Sequence, residues 1–172
     1  DLIMQARTAD DIRLAKSLDK TAITFAFQHC SPIEEDIDLV EIMYTLGVRF
    51  MQLTYNNQSV CATGCYENED SGVTRFGRQV IKEMNRVGMV VDMSHSGEKS
   101  TFDATEISER AIAVRHASVK SWHPALRNKS DELIKALAQN GGMLGFSMYP
   151  FHLKNGPKCN INEFCEMIAR AV

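Results

Sequence analysis

The chain has 172 residues, 44% of them hydrophobic, and a formal net charge of −3 at pH 7, which fits one soluble domain over residues 1–172 with a sizeable core. The slightly acidic balance, without a basic stripe, gives no reason to expect a nucleic-acid partner. No apolar run approaches the roughly 20 residues that a membrane-spanning helix needs, and no signal peptide is evident, so we expect a cytoplasmic protein.

Helical and strand-like patterns alternate from one end of the chain to the other. The first is a helix over residues 8–18. Five strand–helix units follow: 22–28 with 35–46, 48–55 with 74–87, 89–95 with 98–108, 111–116 with 130–139, and 143–148 with 160–170. Alternation without a hairpin signal predicts parallel strands joined by right-handed crossovers. Because a complete (β/α)8 barrel takes about 250 residues, the sequence predicts an α/β fold of about five β/α units, an incomplete TIM barrel.

The cysteine pattern indicates reduced thiols. There are five cysteines, an odd number in a chain of this size, so a disulfide scaffold is not expected. Cys61 and Cys65 enclose three residues and could form half of a zinc knuckle, but no second close pair completes a set of four ligands. Thiols in the loops of a cytoplasmic protein are the simpler interpretation.

Polar side chains lie at the carboxyl ends of the predicted strands, where parallel β/α folds have their active sites. They are Gln28, Tyr55, His95, His116 and either Ser147 or Tyr149. Strands lie about 4.8 Å apart and a metal ion binds nitrogen at about 2.0–2.1 Å. His95 and His116, from consecutive strands, are therefore predicted to share one metal ion. The alternative is that each is a hydrogen-bonded histidine at a strand end.

Four further residues carry charge or imidazole near these positions. Asp92 lies within a strand, and either orients a metal ligand or pairs with a nearby Lys or Arg. Arg127 follows the fourth strand and could bind a substrate carboxylate through both nitrogens of its guanidinium, or could be a solvated loop cation. His123 and His152 lie in loops and are interpreted as surface or packing residues.

Several segments, in order from about Ala22 to Ser147, resemble the motifs of the membrane dipeptidase (renal dipeptidase) family. Residues 47–56 resemble "GVR-LTHN", residues 72–78 resemble "GLTPFGR", and residues 83–95 resemble "EMNRLGMLVDLSH". His116 resembles the histidine of "SHS", and residues 127–132 resemble "RN-PDE". The resemblance implies a (β/α)8 barrel with a two-zinc site that hydrolyses dipeptides. It also implies that His95 and His116 bind one zinc and that Arg127 binds the substrate carboxylate.

The chain departs from the family pattern at three places. Gln28 stands where the family has a glutamate that bridges the two metals, and an amide can offer one carbonyl oxygen but cannot bridge two cations with charge compensation. Tyr55 replaces the family histidine that contacts the reacting carbonyl, although a phenol can still donate to an oxyanion. The family's N-terminal His-x-Asp pair and its late aspartate have no counterpart. One zinc ion, with Gln28 beside it, is therefore expected rather than two.

Two functions remain open at this point. The first is a metal-dependent hydrolase that cleaves dipeptides or related small amides with a metal-activated water, using Tyr55 to polarise the carbonyl and Arg127 to hold the carboxylate. The second is a truncated or degenerate barrel without catalysis, which binds a small ligand or associates with itself. Open sheet edges favour pairing with another copy, so a homo-oligomer is expected in either case.

Overall fold

The computed structural model describes residues 2–171. Strands and helices alternate along this part of the chain, with the following bounds: β1 (Ile3–Gln5), α1 (Ala9–Ser17), β2 (Thr21–Ile23), β3 (Phe25–Phe27), α2 (Asp38–Thr45), β4 (Val48–Gln52), α3 (Arg75–Val87), β5 (Val90–Asp92), α4 (Glu98–Ile107), β6 (Ala113–Ala117), α5 (Asp131–Gln139), β7 (Met143–Phe146) and α6 (Ile161–Ala171). Three short 3-10 turns lie at Ser31–Ile33, Pro150–His152 and Gly156–Lys158.

Five of the strands form one sheet in the order β3-β4-β5-β6-β7, and every neighbouring pair is parallel. Each strand except the last is followed by a helix before the chain returns to the next one, which is how parallel strands are connected. The observed order is the order of the five predicted strands in the sequence. The predicted α/β class with parallel strands is therefore confirmed.

The first predicted strand, 22–28, is wrong as a single element because it divides at Thr24. Its first half, β2, pairs in parallel with β1, and its second half, β3, pairs with β4. The chain therefore begins with a strand that the sequence analysis missed, since β1 spans only Ile3–Gln5 and precedes the stronger helical signal of α1. The backbone amide of Ala6 continues the pairing by donating to the carbonyl of Ile23 at 2.8 Å.

Several strands end at other residues than predicted. β4 ends at Gln52 and β5 at Asp92, so Tyr55 and His95 lie three residues beyond them, in loops. β6 continues to Ala117, so His116 lies inside that strand rather than at its end. At β5 the reason is local: the Asp92 carboxylate accepts the backbone amide of Ser94 at 3.0 Å, which turns the chain out of the sheet.

The helices follow their predicted signals closely. The Thr74 hydroxyl caps α3 by accepting from the amide of Gly77 at 2.9 Å, and Gly88 ends that helix with a φ of +89°. The Ser130 hydroxyl caps α5. The exception is α2, predicted from residue 35, which begins at Asp38 after the 3-10 turn at Ser31–Ile33.

The main core lies between the sheet and the helices that cover one of its faces. Its fully buried members include Met51, Leu53, Ile81, Met84 and Met93. A smaller cluster around Val119, Leu153 and Met167 packs beneath α6. Across residues 2–171, none of the helices combines the length and the apolar character needed to cross a bilayer.

Candidate metal and substrate site

A cavity of about 550 Å³ opens where the strands of the sheet reach their carboxyl ends. Every strand-end residue singled out from the sequence contributes to its wall. The lining residues are Gln28, Tyr55, Asn56, Tyr66, His95, His116, Arg127, Ser147, Tyr149 and His152. The fold thus gathers side chains from five separate strand–loop junctions around one volume large enough for a small ligand.

His95 and His116 face each other across the base of this cavity. Their Nε2 atoms lie 2.9 Å apart, and their ring planes are inclined at 63°. His95 is buried and His116 is half-buried. The structure therefore brings these two imidazoles together, with His116 on a strand and His95 on a loop.

The orientation of His95 is fixed from behind by Asn56. Its Nδ1 lies 2.7 Å from the Asn56 side-chain oxygen, so Nδ1–H donates and Nε2 presents a lone pair. The ring of Tyr55 stacks on the His95 ring with centroids 4.0 Å apart. A histidine that donates through one nitrogen to an amide oxygen and offers the other nitrogen has the arrangement of a metal ligand.

Both imidazoles are held in the neutral form. Burial, together with the positive charge of Arg127, lowers the pKa of His95 to about 3. The same two causes lower the pKa of His116. Neutral nitrogens are those that bind metal. In the present arrangement the His116 Nε2–H donates to the lone pair of His95, and a cation bound by both rings would take the place of that proton.

Asp92 does not touch either imidazole. Its carboxylate accepts from Arg115 Nε at 2.6 Å, from the Ser94 hydroxyl at 2.5 Å and from Gln52 Nε2 at 3.0 Å. Burial alone would raise the pKa of Asp92, but the hydrogen bonds from Ser94 and Arg115 outweigh it and hold that pKa below its usual range. Of the two alternatives left open by the sequence, the structure favours pairing with a basic residue.

Arg127 is buried against the cavity, with 2% of its surface exposed, which excludes the solvated loop cation considered above. Its Nη2 donates to the backbone carbonyl of His116 at 3.0 Å. Its Nη1 is buried and has no hydrogen-bond partner among residues 2–171. Burial lowers the pKa of this guanidinium, but arginine remains protonated in proteins, so an unpaired donor with a positive charge borders the cavity.

The structure excludes one of the two interpretations of His152 made from the sequence. It is not a surface residue, because only 6% of its surface is exposed; it is packed in the wall of the same cavity as His95 and His116. Its Nδ1 lies 3.0 Å from the Ser147 hydroxyl. His123, by contrast, is half-buried and lies outside the cavity wall.

Asn56, Tyr66 and His152 are the cavity residues that sequence reasoning did not identify. Asn56 adopts a positive φ of +66°, and its backbone oxygen accepts from the amide of Tyr66 at 3.0 Å. The usable signal was the long polar loop that follows β4, because long loops within compact domains are often functional. Nothing in the local sequence around His152 distinguishes it from an ordinary loop histidine.

The donor set fits part of a metal site. His95 and His116 converge in the correct protonation state, and Gln28 borders the same cavity. However, no group of three or more His, Cys, Asp or Glu side chains within residues 2–171 is arranged to hold a metal ion, and this includes the Cys61 and Cys65 considered as a knuckle. The described chain therefore offers two nitrogen ligands and no carboxylate.

Residues 2–171 match the model of one protein family, described as Membrane dipeptidase (Peptidase family M19). The chain belongs to the membrane dipeptidase family. Curated relatives of this dipeptidase-family chain are named as dipeptidases. Dipeptidase tcpJ of Claviceps purpurea is 29% identical over 160 residues, which is 92% of this chain and 38% of that protein. Dipeptidase 3 of Rattus norvegicus is 28% identical over 134 residues, which is 74% of this chain and 28% of that protein.

Solved structures give the same result for the fold. An amidohydrolase from Pseudomonas aeruginosa superposes with a TM-score of 0.96 at 38% identity, covering 99% of this chain and 52% of that one. A metallo peptidase from Rhodobacter sphaeroides, liganded with a phosphinate mimic of the dipeptide L-Ala-D-Ala, superposes with a TM-score of 0.90 at 20% identity. The family resemblance and the incomplete barrel are therefore confirmed, and this dipeptidase-family chain spans about half the length of the solved chains that it matches.

Proposed function

We propose that this chain carries part of the active site of a metal-dependent dipeptidase, which hydrolyses the peptide bond of dipeptides or related small amides. The observation that supports this proposal most strongly is the meeting of two neutral imidazole nitrogens, 2.9 Å apart, with the buried Arg127 guanidinium around one cavity. A metal-binding pair beside a carboxylate-binding cation suits a small substrate that has both a scissile carbonyl and a free acid group.

In this proposal His95 and His116 hold one divalent cation, which we take to be zinc because imidazole nitrogens suit it. The cation, when bound, would supply Lewis acidity and activate water for attack on the peptide carbonyl. Gln28, at the rim of the cavity, could add one amide oxygen to the site. Asn56 positions His95, since its side-chain oxygen accepts from Nδ1.

The substrate side of the proposal uses Arg127 and Tyr55. The Nη1 group of Arg127, without a partner in the described part of the chain, would donate to the carboxylate of the substrate. Tyr55 is 43% exposed and lies flat on His95, so its hydroxyl can reach a substrate bound beside that ring. We assign Tyr55 as the donor that stabilises negative charge on the carbonyl oxygen during hydrolysis.

The test is metal content measured together with turnover. The chain is stripped with a chelator, reloaded with Zn²⁺ and assayed for hydrolysis of a set of simple dipeptides, with bound metal counted by mass spectrometry. His116→Ala is expected to lose both bound zinc and turnover, whereas His123→Ala, outside the cavity wall, is expected to keep both. Full metal occupancy with unchanged turnover in His116→Ala would contradict the proposal.

One observation favours a second candidate. No aspartate or glutamate lines the cavity among the described residues, so the two histidines have no carboxylate to complete the site and compensate the charge of a metal ion. A cavity with cationic and neutral donors alone suits binding of a small carboxylate without hydrolysis. This alternative predicts saturable dipeptide binding and no product at any Zn²⁺ concentration, and product formation that depends on His116 would exclude it.

A further inference from the structure

The side chain of His152 has no part in the proposed chemistry, yet it occupies a position of the cavity wall that is nearly closed to solvent. His152 is 6% exposed and Ser147, its hydrogen-bonded neighbour, is 7% exposed. A buried imidazole loses its hydration, and this loss must be offset by defined hydrogen bonds. Its hydrogen bonds therefore indicate which of its nitrogens is used within the protein.

We assign the proton of His152 from its contact with Ser147, the one hydrogen bond of the ring within the described residues. The Ser147 hydroxyl oxygen accepts from the backbone amide of Tyr149 at 3.2 Å, and its own proton is then available to Nδ1 of His152, 3.0 Å away. With Nδ1 as an acceptor, the neutral ring carries its proton on Nε2. Burial and the nearby Arg127 lower the pKa of His152 to about 4, so the ring is neutral at pH 7.

The His152 ring makes its one hydrogen bond within residues 2–171 through Nδ1, which leaves Nε2 free to donate to a ligand. The buried Nη1 of Arg127 likewise has no partner in this part of the chain. Both side chains line the cavity, and no carboxylate there competes for their protons. Two donors of different kinds, one charged and one neutral, thus border a volume in which the described chain supplies no anion. The complementary group is a carboxylate, which accepts through two oxygens.

A single amide group connects the two segments that carry these donors. Nδ2 of Asn128, the residue after Arg127, donates to the backbone carbonyl of His152 at 2.9 Å, and its Oδ1 accepts from the amide of Ser118 at 3.1 Å. Asn128 is itself 1% exposed. The loop that carries Arg127 and the turn that carries His152 are therefore tied together through a buried side chain, as a site requires if two loops hold one ligand.

We propose that His152 is a substrate-binding residue that donates from Nε2 to the same carboxylate as Arg127, and so selects ligands with a free terminal acid over their amides. This inference rests on the proposed function for the identity of the ligand, a small peptide, but not on hydrolysis. The selectivity follows because a terminal amide presents its own N–H donors to one side of the site, which leaves either Nη1 of Arg127 or Nε2 of His152 facing a donor instead of an acceptor.

The test is binding to the metal-free chain, so that no turnover intervenes. Glycylglycine and glycylglycinamide are titrated and followed by NMR of the imidazole signals, in the parent and in three variants. His152→Phe keeps an aromatic ring and removes the donor. His152→Gln restores an N–H close to the position of Nε2. Ser147→Ala keeps the imidazole but removes the partner that sets its tautomer. Circular dichroism confirms that each variant is folded.

We expect His152→Phe to weaken glycylglycine binding about tenfold, as for loss of one hydrogen bond to a charged group, and to leave the amide unchanged. His152→Gln should recover binding to within about threefold, and Ser147→Ala should fall between them. Equal losses for acid and amide, failure of the glutamine to restore binding, or no saturable glycylglycine binding by the parent would each overturn the inference.

The two proposals fail in different ways. If the acid-selective loss is found but zinc-loaded chain yields no product, the assignment of His152 stands and the hydrolase does not. If zinc-dependent hydrolysis occurs and His152→Phe treats acid and amide as the parent does, the hydrolase stands and the assignment of His152 falls. The binding experiment and the turnover experiment are therefore independent measurements.

Discussion

At the scale of single residues, the cavity is defined by buried polar groups that have few partners within the protein. Arg127 and His152 are each less than a tenth exposed. Within residues 2–171, Nη1 of Arg127 is buried without a hydrogen-bond partner, and the His152 ring bonds only through Nδ1. Such groups reduce stability in the free protein, because burial removes their hydration. They are typical of functional sites, where stability is lower than packing alone would allow.

The substitution Arg127→Met tests whether this buried side chain lowers the stability of the fold while it contributes to substrate binding. Methionine fills a similar buried volume without charge, so we expect a melting temperature equal to or above that of the parent. Loss of the charged donor at Nη1 should lower kcat/KM for dipeptides about tenfold to a hundredfold. Arg127→Lys is the matched control, with the charge kept and the planar fork lost. A clear fall in melting temperature for the methionine variant would show that Arg127 is needed for folding.

The histidine pKa values predict acid sensitivity with a definite sign. An unfolded histidine titrates near about 6.5, whereas folding lowers the pKa of His95 to about 3 and that of His152 to about 4. The neutral forms therefore stabilise the fold fully above pH 6.5, and that stability is lost as pH falls towards 4.

This dependence can be measured as the melting temperature of the metal-free chain at pH 7.5 and at pH 5. We expect a lower value at pH 5, and a smaller difference between the two conditions in His152→Phe, which has one imidazole fewer to protonate. Identical pH dependence in the parent and the variant would contradict the neutral, buried state of His152.

At the scale of elements, β5 and β6 are joined by a buried polar network as well as by the sheet. Asp92 ends β5 and pairs with Arg115 of β6, while the Ser94 hydroxyl accepts from the backbone amide of Arg115 at 2.8 Å. The same hydroxyl donates to Asp92. This network aligns the loop that carries His95 with the strand that carries His116, so the geometry of the imidazole pair depends on the junction of these two elements.

Asp92→Asn is expected to destabilise the fold strongly, by about 3 kcal/mol or more, because it leaves Arg115 without its buried anion. Glu83→Gln is the matched control. Glu83 pairs with Arg86 within α3, where Arg86 is 56% exposed, and such pairs contribute less than about 1 kcal/mol. Urea denaturation of both variants gives the two free energies. Comparable losses would indicate that the Asp92 network is not what joins β5 to β6.

The loop that holds Asn56 depends on a glycine. A Cβ at Gly64 would lie 2.0 Å from the backbone carbon and oxygen of Asn56, so any side chain there must displace the residue that orients His95. Gly64→Ala should weaken Zn²⁺ binding and lower stability. Gly141→Ala is the control, since its positive φ costs conformational energy but its Cβ meets nothing within 4 Å. Unchanged zinc affinity in Gly64→Ala would exclude this coupling.

At the scale of the whole molecule, the alternation of helical and strand-like patterns was sufficient to predict the five-stranded sheet. The polar residues at the predicted strand ends were sufficient to predict much of the cavity wall. The strand order, the helices and the meeting of His95 and His116 follow from apolar runs that end in polar residues, whereas Arg127 was identified from its place in the loop after the fourth strand. What the sequence did not reveal depends on contacts between distant segments. The division of a strand at Thr24 is set by its two different neighbours, and the burial of His152 is set by Asn128 and Ser147.

The predicted self-association remains to be tested. Within residues 2–171, β7 pairs with β6 alone, and Met143 on that edge is 51% exposed. An unpaired parallel edge invites pairing with another chain. We expect sedimentation velocity to show association that grows with concentration and is reduced by Met143→Lys. Met148→Lys, 74% exposed but beyond the strand, is the control. A monomer at all concentrations would contradict the homo-oligomer.

The carboxamide of Asn128 has a mechanical consequence. It hydrogen-bonds both to the turn at 150–152 and to the start of the loop after β6. A shift of either segment would therefore break a buried hydrogen bond or move the other segment with it. A substitution that reshapes one of them for a bulkier ligand would therefore distort both walls of the cavity. Altered selectivity in this half-barrel should therefore require paired substitutions on the two segments, with Asn128 left intact.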